Sequence, residues 1–195
     1  DHWKSLELIK TSKKKYCLIH SKEINHPKGS SQNKRAVSVL NNVEKVIANS
    51  QFTKNLAIEL GVNGNKVIVI NPGVDPVKEL NKKTLDKVES ILKVKNPRLI
   101  TVSRFDKRKN HEKIVMALRN LKQIYPNIIY VCIGYGEEEE KLKKLSKELM
   151  VQDQVLFLNN INQDLKNALV SKSNIFVMPS IISKKSVEGL SLIHI

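Results

Sequence analysis

Between Arg98 and Met178, four short apolar runs alternate with three amphipathic helical patterns, and few folds accommodate that rhythm. The predicted strands are 98–102, 128–133, 155–158 and 175–178. The helical pattern opening at Asn110, a predicted N-cap, carries Ile114, Leu118, Leu121 and Tyr125 on one stripe, and Pro126 ends it. Another opens on the acidic run 137–140, read as a solvated helix N-terminus, with Leu142, Leu145 and Leu149 facing inward. The third runs over 163–170. Strands separated by helices of about a dozen residues close as right-handed βαβ units, so an α/β fold with a parallel, doubly wound sheet is expected.

The same rhythm runs upstream. Strands are predicted at 15–20, 44–48 and 66–70, with helices at 34–42 and from the Ser50 cap to Leu60, stopped by Gly61. Residues 77–97 change character, being rich in Lys, Glu and Asn, helical in the middle and closed by Pro97. They read as a linker between a domain over 1–76 and another over 98–195.

Composition narrows the partners. The net charge of +15 is spread over both halves and favours anionic ligands, although an even Lys, Asn and Ile bias accounts for it equally well. Aromatic residues are only 5% and no nucleic-acid motif is present, so no nucleic-acid partner is expected. Cys17 and Cys132 lie in apolar strand-like runs and read as buried free thiols of a reducing compartment. No apolar run is long enough to span a bilayer. Trp3 and His2 are assigned packing roles only.

The chemistry concentrates in three loops that follow predicted strands. In Val102-Ser103-Arg104-Phe105-Asp106-Lys107-Arg108-Lys109-Asn110, two cations five residues apart, Arg104 and Lys109, stand where open α/β sheets hold anions. Gly134-Tyr135-Gly136 ends the next strand, and two glycines let backbone approach a ligand closely. The third loop carries Glu188-Gly189, where a carboxylate either hydrogen-bonds sugar hydroxyls or is an ordinary surface group.

These pieces, in this order, resemble the retaining GT-B glycosyltransferases of family four. The match rests on Ser103-Arg104, Arg108-Lys109-Asn110, Gly134-Tyr135-Gly136, Phe157-Leu158-Asn159, Phe176-Val177-Met178-Pro179-Ser180 and Glu188-Gly189. Upstream it extends to His20-Ser21-Lys22-Glu23, to Val46–Thr53 and to Asn71-Pro72-Gly73-Val74-Asp75. The resemblance implies two Rossmann-like domains, the N-terminal one partial, and sugar transfer (hexosyltransferase type) from a UDP- or GDP-sugar to a glycan or lipid acceptor with retention.

The resemblance also implies roles for individual residues. Arg104 and Lys109 would hold the diphosphate, with Ser103 beside it, and Glu188 would touch the sugar ring. Gly134, Gly136, Asn159 and Ile161 would flank the nucleoside, while Gly189, Leu190 and Ser191 would approach the phosphates. His20 would face the reacting sugar, or serve only as a strand-end histidine. Glu23 is as well suited to bonding within its own loop as to touching substrate. Fixed cations and a helix N-terminus would take the place of a divalent metal, so neither metal nor cofactor is expected. A cytoplasmic site at the inner membrane face, with an anionic membrane surface as a further partner, is also expected.

Two departures matter. The family's Glu-Gly-Phe-Gly reads here Glu188-Gly189-Leu190-Ser191, and the second glutamate of its Glu-x7-Glu would follow Ile195. The expectation is a piece, short at both ends, of a longer active enzyme and inactive by itself. Two competing readings remain: a basic module for nucleic acid or anionic membrane, and a nucleotide-sugar epimerase of the same fold.

Overall fold

The computed structural model describes residues 3–73, 76 and 79–181. The chain divides into two compact units, one within residues 1–76 and one within 77–181. Each has its own parallel sheet and its own core.

The first unit runs α1 (Trp3–Leu8), β1 (Tyr16–Ile19), α2 (Ser31–Asn41), β2 (Lys45–Ala48), α3 (Gln51–Glu59) and β3 (Val67–Val69). Its strands lie in the order β1-β2-β3, all parallel. Cys17 and Ile19 of β1 and Val46 and Ala48 of β2 alternate into a core completed by Ala36 and Leu40 of α2 and Ala57 of α3. Ser30 and Ser50 start the helices by accepting from the Asn33 and Thr53 backbone N–H groups at 3.2 and 3.1 Å. Trp3 is fully buried and its indole N–H donates to the Glu23 carbonyl at 2.8 Å, in keeping with a packing role.

Both cysteines are buried free thiols. Burial pushes Cys17 up to about 11 and Cys132 further in the same direction. Neither thiol is expected to react with iodoacetamide near neutral pH while the protein is folded, and both are expected to react once urea unfolds it. Mass spectrometry of the alkylated chain reads the difference.

The second unit runs α4 (Lys82–Leu92), β4 (Arg98–Val102), α5 (His111–Ile124), β5 (Ile129–Ile133), α6 (Glu139–Glu148), β6 (Val155–Leu158), α7 (Gln163–Ser171) and β7 (Ile175–Phe176). The sheet order is β6-β5-β4-β7, all parallel. Strand β5 is buried along its whole length. Its Ile129, Val131 and Ile133 pack with Val88 and Leu92 of α4 and Leu165, Ala168 and Leu169 of α7. Its Tyr130 and Cys132 pack on the opposite face with Val115 and Leu118 of α5 and Leu142 of α6. A strand covered on both faces needs apolar residues at both parities, which is why 129–133 reads as an unbroken apolar run.

The structure extends or differs from the sequence expectations at several points, among them α1, which was not expected. The helix expected in the middle of the linker stretch is α4, but it is more than a connector: its Val88 and Leu92 are fully buried in the second core. The buried stripe of α5 centres on His111, Val115 and Leu118, with Ile114 and Leu121 at its margin and Tyr125 47% exposed. Asn110 precedes α5 but makes no side-chain cap; it adopts φ 58° and its amide donates to the Pro179 carbonyl at 3.1 Å. The strand expected over 175–178 is regular only through Phe176, after which Val177 keeps one ladder bond to the Ile100 carbonyl at 2.8 Å.

Candidate functional site

Strand β4 lies between β5, the next strand in sequence, and β7, the last. The chain therefore steps from β4 through β5 to β6 in one direction and then returns past them to place β7 on the other side of β4. That makes the carboxyl ends of these two strands the topological switch point, where open α/β sheets present a crevice to ligands. The loop 103–110 leaves the sheet there.

Backbone bonds fasten the neighbouring loops into one rim. Ser103 N–H donates to the Ile133 carbonyl at 3.0 Å, Phe105 N–H to Tyr135 at 2.9 Å and Glu138 N–H to Phe105 at 3.0 Å. Gly134 N–H donates to Leu158 at 3.0 Å, which brings the end of β6 into the same rim. On the other side, Ile181 N–H donates to the Arg108 carbonyl at 2.9 Å. The three turns following β4, β5 and β7 are thus held together by the protein's own backbone.

This rim explains the glycines differently from the expectation that they open room for a ligand. A Cβ on Gly134, which has φ 147°, would stand 2.0 Å from the Ser103 carbonyl oxygen. On Gly136 it would stand 2.3 Å from that of Phe105. The space is taken by the 103–105 backbone, so the primary demand for glycine here is loop-on-loop packing.

The cations sit on this rim with different freedom. Arg104 exposes 71% of its side chain and meets Asp106 at 3.4 Å. Asp106 also accepts the Lys109 backbone N–H at 3.0 Å, which closes the short 3₁₀ turn over 107–109. Lys109 itself is 8% exposed. An exposed Arg104–Asp106 pair contributes little to stability, so an incoming anion can draw the guanidinium away at small cost. A sequestered lysine, by contrast, is pre-positioned.

Other expected residues are placed less distinctively. Asn159 is exposed at the end of β6, and its amide donates to both carboxylate oxygens of Glu139 at 3.1 Å. The Lys143 ammonium, foremost, and this amide hold Glu139 below the usual carboxylate range. Ile161 is half-buried against the second core. His20, in the first unit, is exposed at the end of β1, with Nδ1 3.2 Å from the Asn49 amide nitrogen. The Glu23 carboxylate accepts the His20 backbone N–H, so of its two expected roles the loop bond is present. Glu188, Gly189, Leu190 and Ser191 lie outside the described residues.

The structure adds residues that sequence reasoning missed. His111 is 2% exposed, and Ser103 Oγ lies 3.0 Å from its Nε2 and Tyr130 OH 2.8 Å from its Nδ1. Tyr130 OH reaches Thr101 Oγ1 at 2.9 Å, and Thr101 donates to the Val177 carbonyl at 2.6 Å. Burial holds His111 below its ordinary value, against an opposing pull from the Arg104 carbonyl and Asp106 and with a smaller push from Lys109. A histidine following Asn110 and a tyrosine inside an apolar strand carry no spacing that links them, so no sequence signal pointed to this chain. Asn49 was overlooked in the same way.

Comparison with known proteins bears on the family and the fold. The family model described as glycosyl transferases group 1 matches residues 82–195, and that of Glycosyltransferase Family 4 matches residues 6–78. An uncharacterized glycosyltransferase of Methanocaldococcus jannaschii is 29% identical over 151 residues, which is 73% of this chain and 36% of that protein. Another, from Haemophilus influenzae, is 26% identical over 78% of this chain and 38% of its own length. The chain therefore spans less than half the length of the curated relatives it matches. Among solved structures, the Anabaena protein Alr3699/HepE in complex with UDP superposes with a TM-score of 0.72 at 23% identity, over 85% of this chain and 46% of that one. A glycosyltransferase from Rickettsia africae ESF-5 gives 0.64 at 26% identity, over 77% and 42%.

Proposed function

The chain belongs to the glycosyl transferases group 1 family, with the α/β architecture of GT-B enzymes, and from this premise we propose that its second unit binds the diphosphate of a nucleotide-sugar in a hexosyl transfer reaction. The observation that carries the reading is the pairing of exposed Arg104 with sequestered Lys109 on the loop at the β4–β7 switch point. Two cations there match the two negative phosphates. As the sugar leaves, charge builds on the departing diphosphate, and fixed cations that need no reorganisation stabilise it most.

The remaining roles belong to the same proposal. Ser103 lies beside the diphosphate, while Gly134, Gly136, Asn159 and Ile161 flank the nucleoside. Glu188 contacts the sugar, Gly189, Leu190 and Ser191 approach the phosphates, and His20 serves the reacting sugar. Arg104 and Lys109 carry the charge that a divalent metal would otherwise supply. The donor is a UDP- or GDP-sugar. UDP is supported by the nucleotide in the Anabaena complex, and GDP by a Mycolicibacterium smegmatis GDP-mannose-dependent mannosyltransferase, 26% identical over 51% of this chain and 26% of its own length. The acceptor is a glycan or lipid, and transfer proceeds with retention. Among the described residues no helix is long and apolar enough to cross a membrane, so attachment to an anionic membrane face would rest on the net charge of +15.

Calorimetric titration of the chain with UDP, GDP and ADP tests the donor reading. Saturable binding of UDP or GDP, weakened by added salt, is expected. Failure of all three nucleotides to bind, together with salt-sensitive binding of RNA, would replace it with the basic-module reading.

A further inference from the structure

The shortest hydrogen bonds of the buried chain beneath the 103–110 loop favour one order of protons. The Val177 carbonyl can only accept, so Thr101 gives it its single hydroxyl proton at 2.6 Å. Thr101 Oγ1 is then an acceptor, filled by Tyr130 OH at 2.9 Å. Tyr130 has spent its proton, so its oxygen, 2.8 Å from His111 Nδ1, requires Nδ1 to carry hydrogen. Burial disfavours the imidazolium and outweighs the opposing pull of the Arg104 carbonyl and Asp106, which leaves Nε2 with a lone pair. The Ser103 hydroxyl has two acceptors in reach, this nitrogen at 3.0 Å and the Arg104 carbonyl at 3.3 Å, and the shorter contact assigns its proton to Nε2. Every buried polar atom in the chain is thereby satisfied.

Four side chains from β4, its following loop, α5 and β5 thus join two segments at the switch point: Ser103, next to Arg104, and Val177, where β7 gives way to the segment fastened to Arg108 and Asn110. His111 also stacks edge-on against Phe105, with ring centroids 5.0 Å apart, and Phe105 is the residue gripped by the glycine turn. A ligand on Arg104 cannot shift the Ser103 hydroxyl without disturbing the imidazole.

We infer that His111 is a positioning residue for the nucleotide-binding loop: as a neutral Nδ1–H tautomer set by Tyr130, Thr101 and Val177, its Nε2 accepts a hydrogen bond from the Ser103 hydroxyl and fixes the Ser103–Arg104 turn. This rests on the diphosphate reading given above. Ser103 Oγ consequently presents lone pairs outward in the free protein. A phosphate oxygen beside it asks the hydroxyl to turn, which loosens its bond to Nε2.

The test is nitrogen NMR of the chain labelled at histidine, with the His111 signal assigned by its loss in His111→Gln. The expected spectrum at neutral pH shows protonated Nδ1 and unprotonated Nε2, with the imidazole titrating below its ordinary value. Saturating UDP is expected to shift Nε2, and in Ser103→Ala that response vanishes while UDP binds roughly 3- to 10-fold more weakly, as for one lost hydrogen bond. An Nε2–H tautomer, an imidazole titrating at or above its ordinary value, or normal UDP affinity with an unmoved Nε2 would each overturn the inference alone. Absence of UDP and GDP binding by calorimetry would instead overturn the diphosphate reading, and this inference with it.

Discussion

Gly134→Ala is expected to abolish the native packing of the second unit or to destabilise it by more than about 4 kcal/mol. The added methyl would stand 2.0 Å from the Ser103 carbonyl oxygen, 3.0 Å from its carbonyl carbon and 3.5 Å from Phe105. Two of these three neighbours are backbone. That backbone is fixed on both sides: Ser103 N–H is bonded to Ile133, and Gly134 N–H to Leu158. Relief would require breaking the bonds that form the rim. The φ of 147° adds strain for any residue with a Cβ. Gly29→Ala separates the two contributions, because Gly29 has φ 82° but nothing within 4 Å of its would-be Cβ. It is expected to cost only about 1 kcal/mol, the conformational part alone. Urea unfolding of both variants against the parent chain measures the contrast, and a Gly134→Ala midpoint near that of Gly29→Ala would show that the loops separate easily.

Replacing either rim cation is expected to weaken nucleotide diphosphate binding by roughly 10- to 150-fold, the size of one charge-assisted hydrogen bond at about 1.5–3 kcal/mol. The two replacements should differ in their side effects. Arg104 exposes 71% of its side chain, so Arg104→Ala is expected to leave the urea midpoint unchanged. Arg104→Lys retains the charge but not the planar fork and should fall between parent and alanine. Lys109 is 8% exposed, and truncating it to alanine also removes a packed aliphatic stem. Lys109→Met keeps that stem and isolates the charge. Titration with UDP and GDP at two salt concentrations reads all four variants. Unchanged affinity in both Arg104→Ala and Lys109→Met would remove the diphosphate from this loop.

Element identity was legible because its causes are local. The apolar run 98–102 became β4 at the same residues, and 155–158 became β6. Ser50 capped α3 as its position before a helical pattern implied. Errors arose where a second element decided the outcome. The helix in the Lys- and Glu-rich stretch was legible, but its packing was not: Val88 and Leu92 recur four residues apart among dominant charges and give α4 a buried edge. Tyr125 continued the α5 stripe on paper, but the helix ends at Ile124 and leaves it exposed. Asn110 looked like a cap because Asn before a helix usually is one; the partner it found, the Pro179 carbonyl, lies 69 positions away.

The sequence by itself determined two α/β units, their strands and helices, and the ordered motifs around Arg104, Lys109 and Gly134 that mark the family, because hydrophobic period, caps and turn residues act over a few positions. Tertiary structure decided which loops meet. The order β6-β5-β4-β7 set β4 beside β7 and made the 103–110 loop one wall of a switch-point crevice. It gave the two glycines a packing partner in the 103–105 backbone. It also joined Ser103, His111, Tyr130, Thr101 and Val177, residues up to 76 positions apart, into one proton-ordered chain. Such bonds depend on strand neighbours and buried donor–acceptor matching, and neither leaves a periodic trace along the chain.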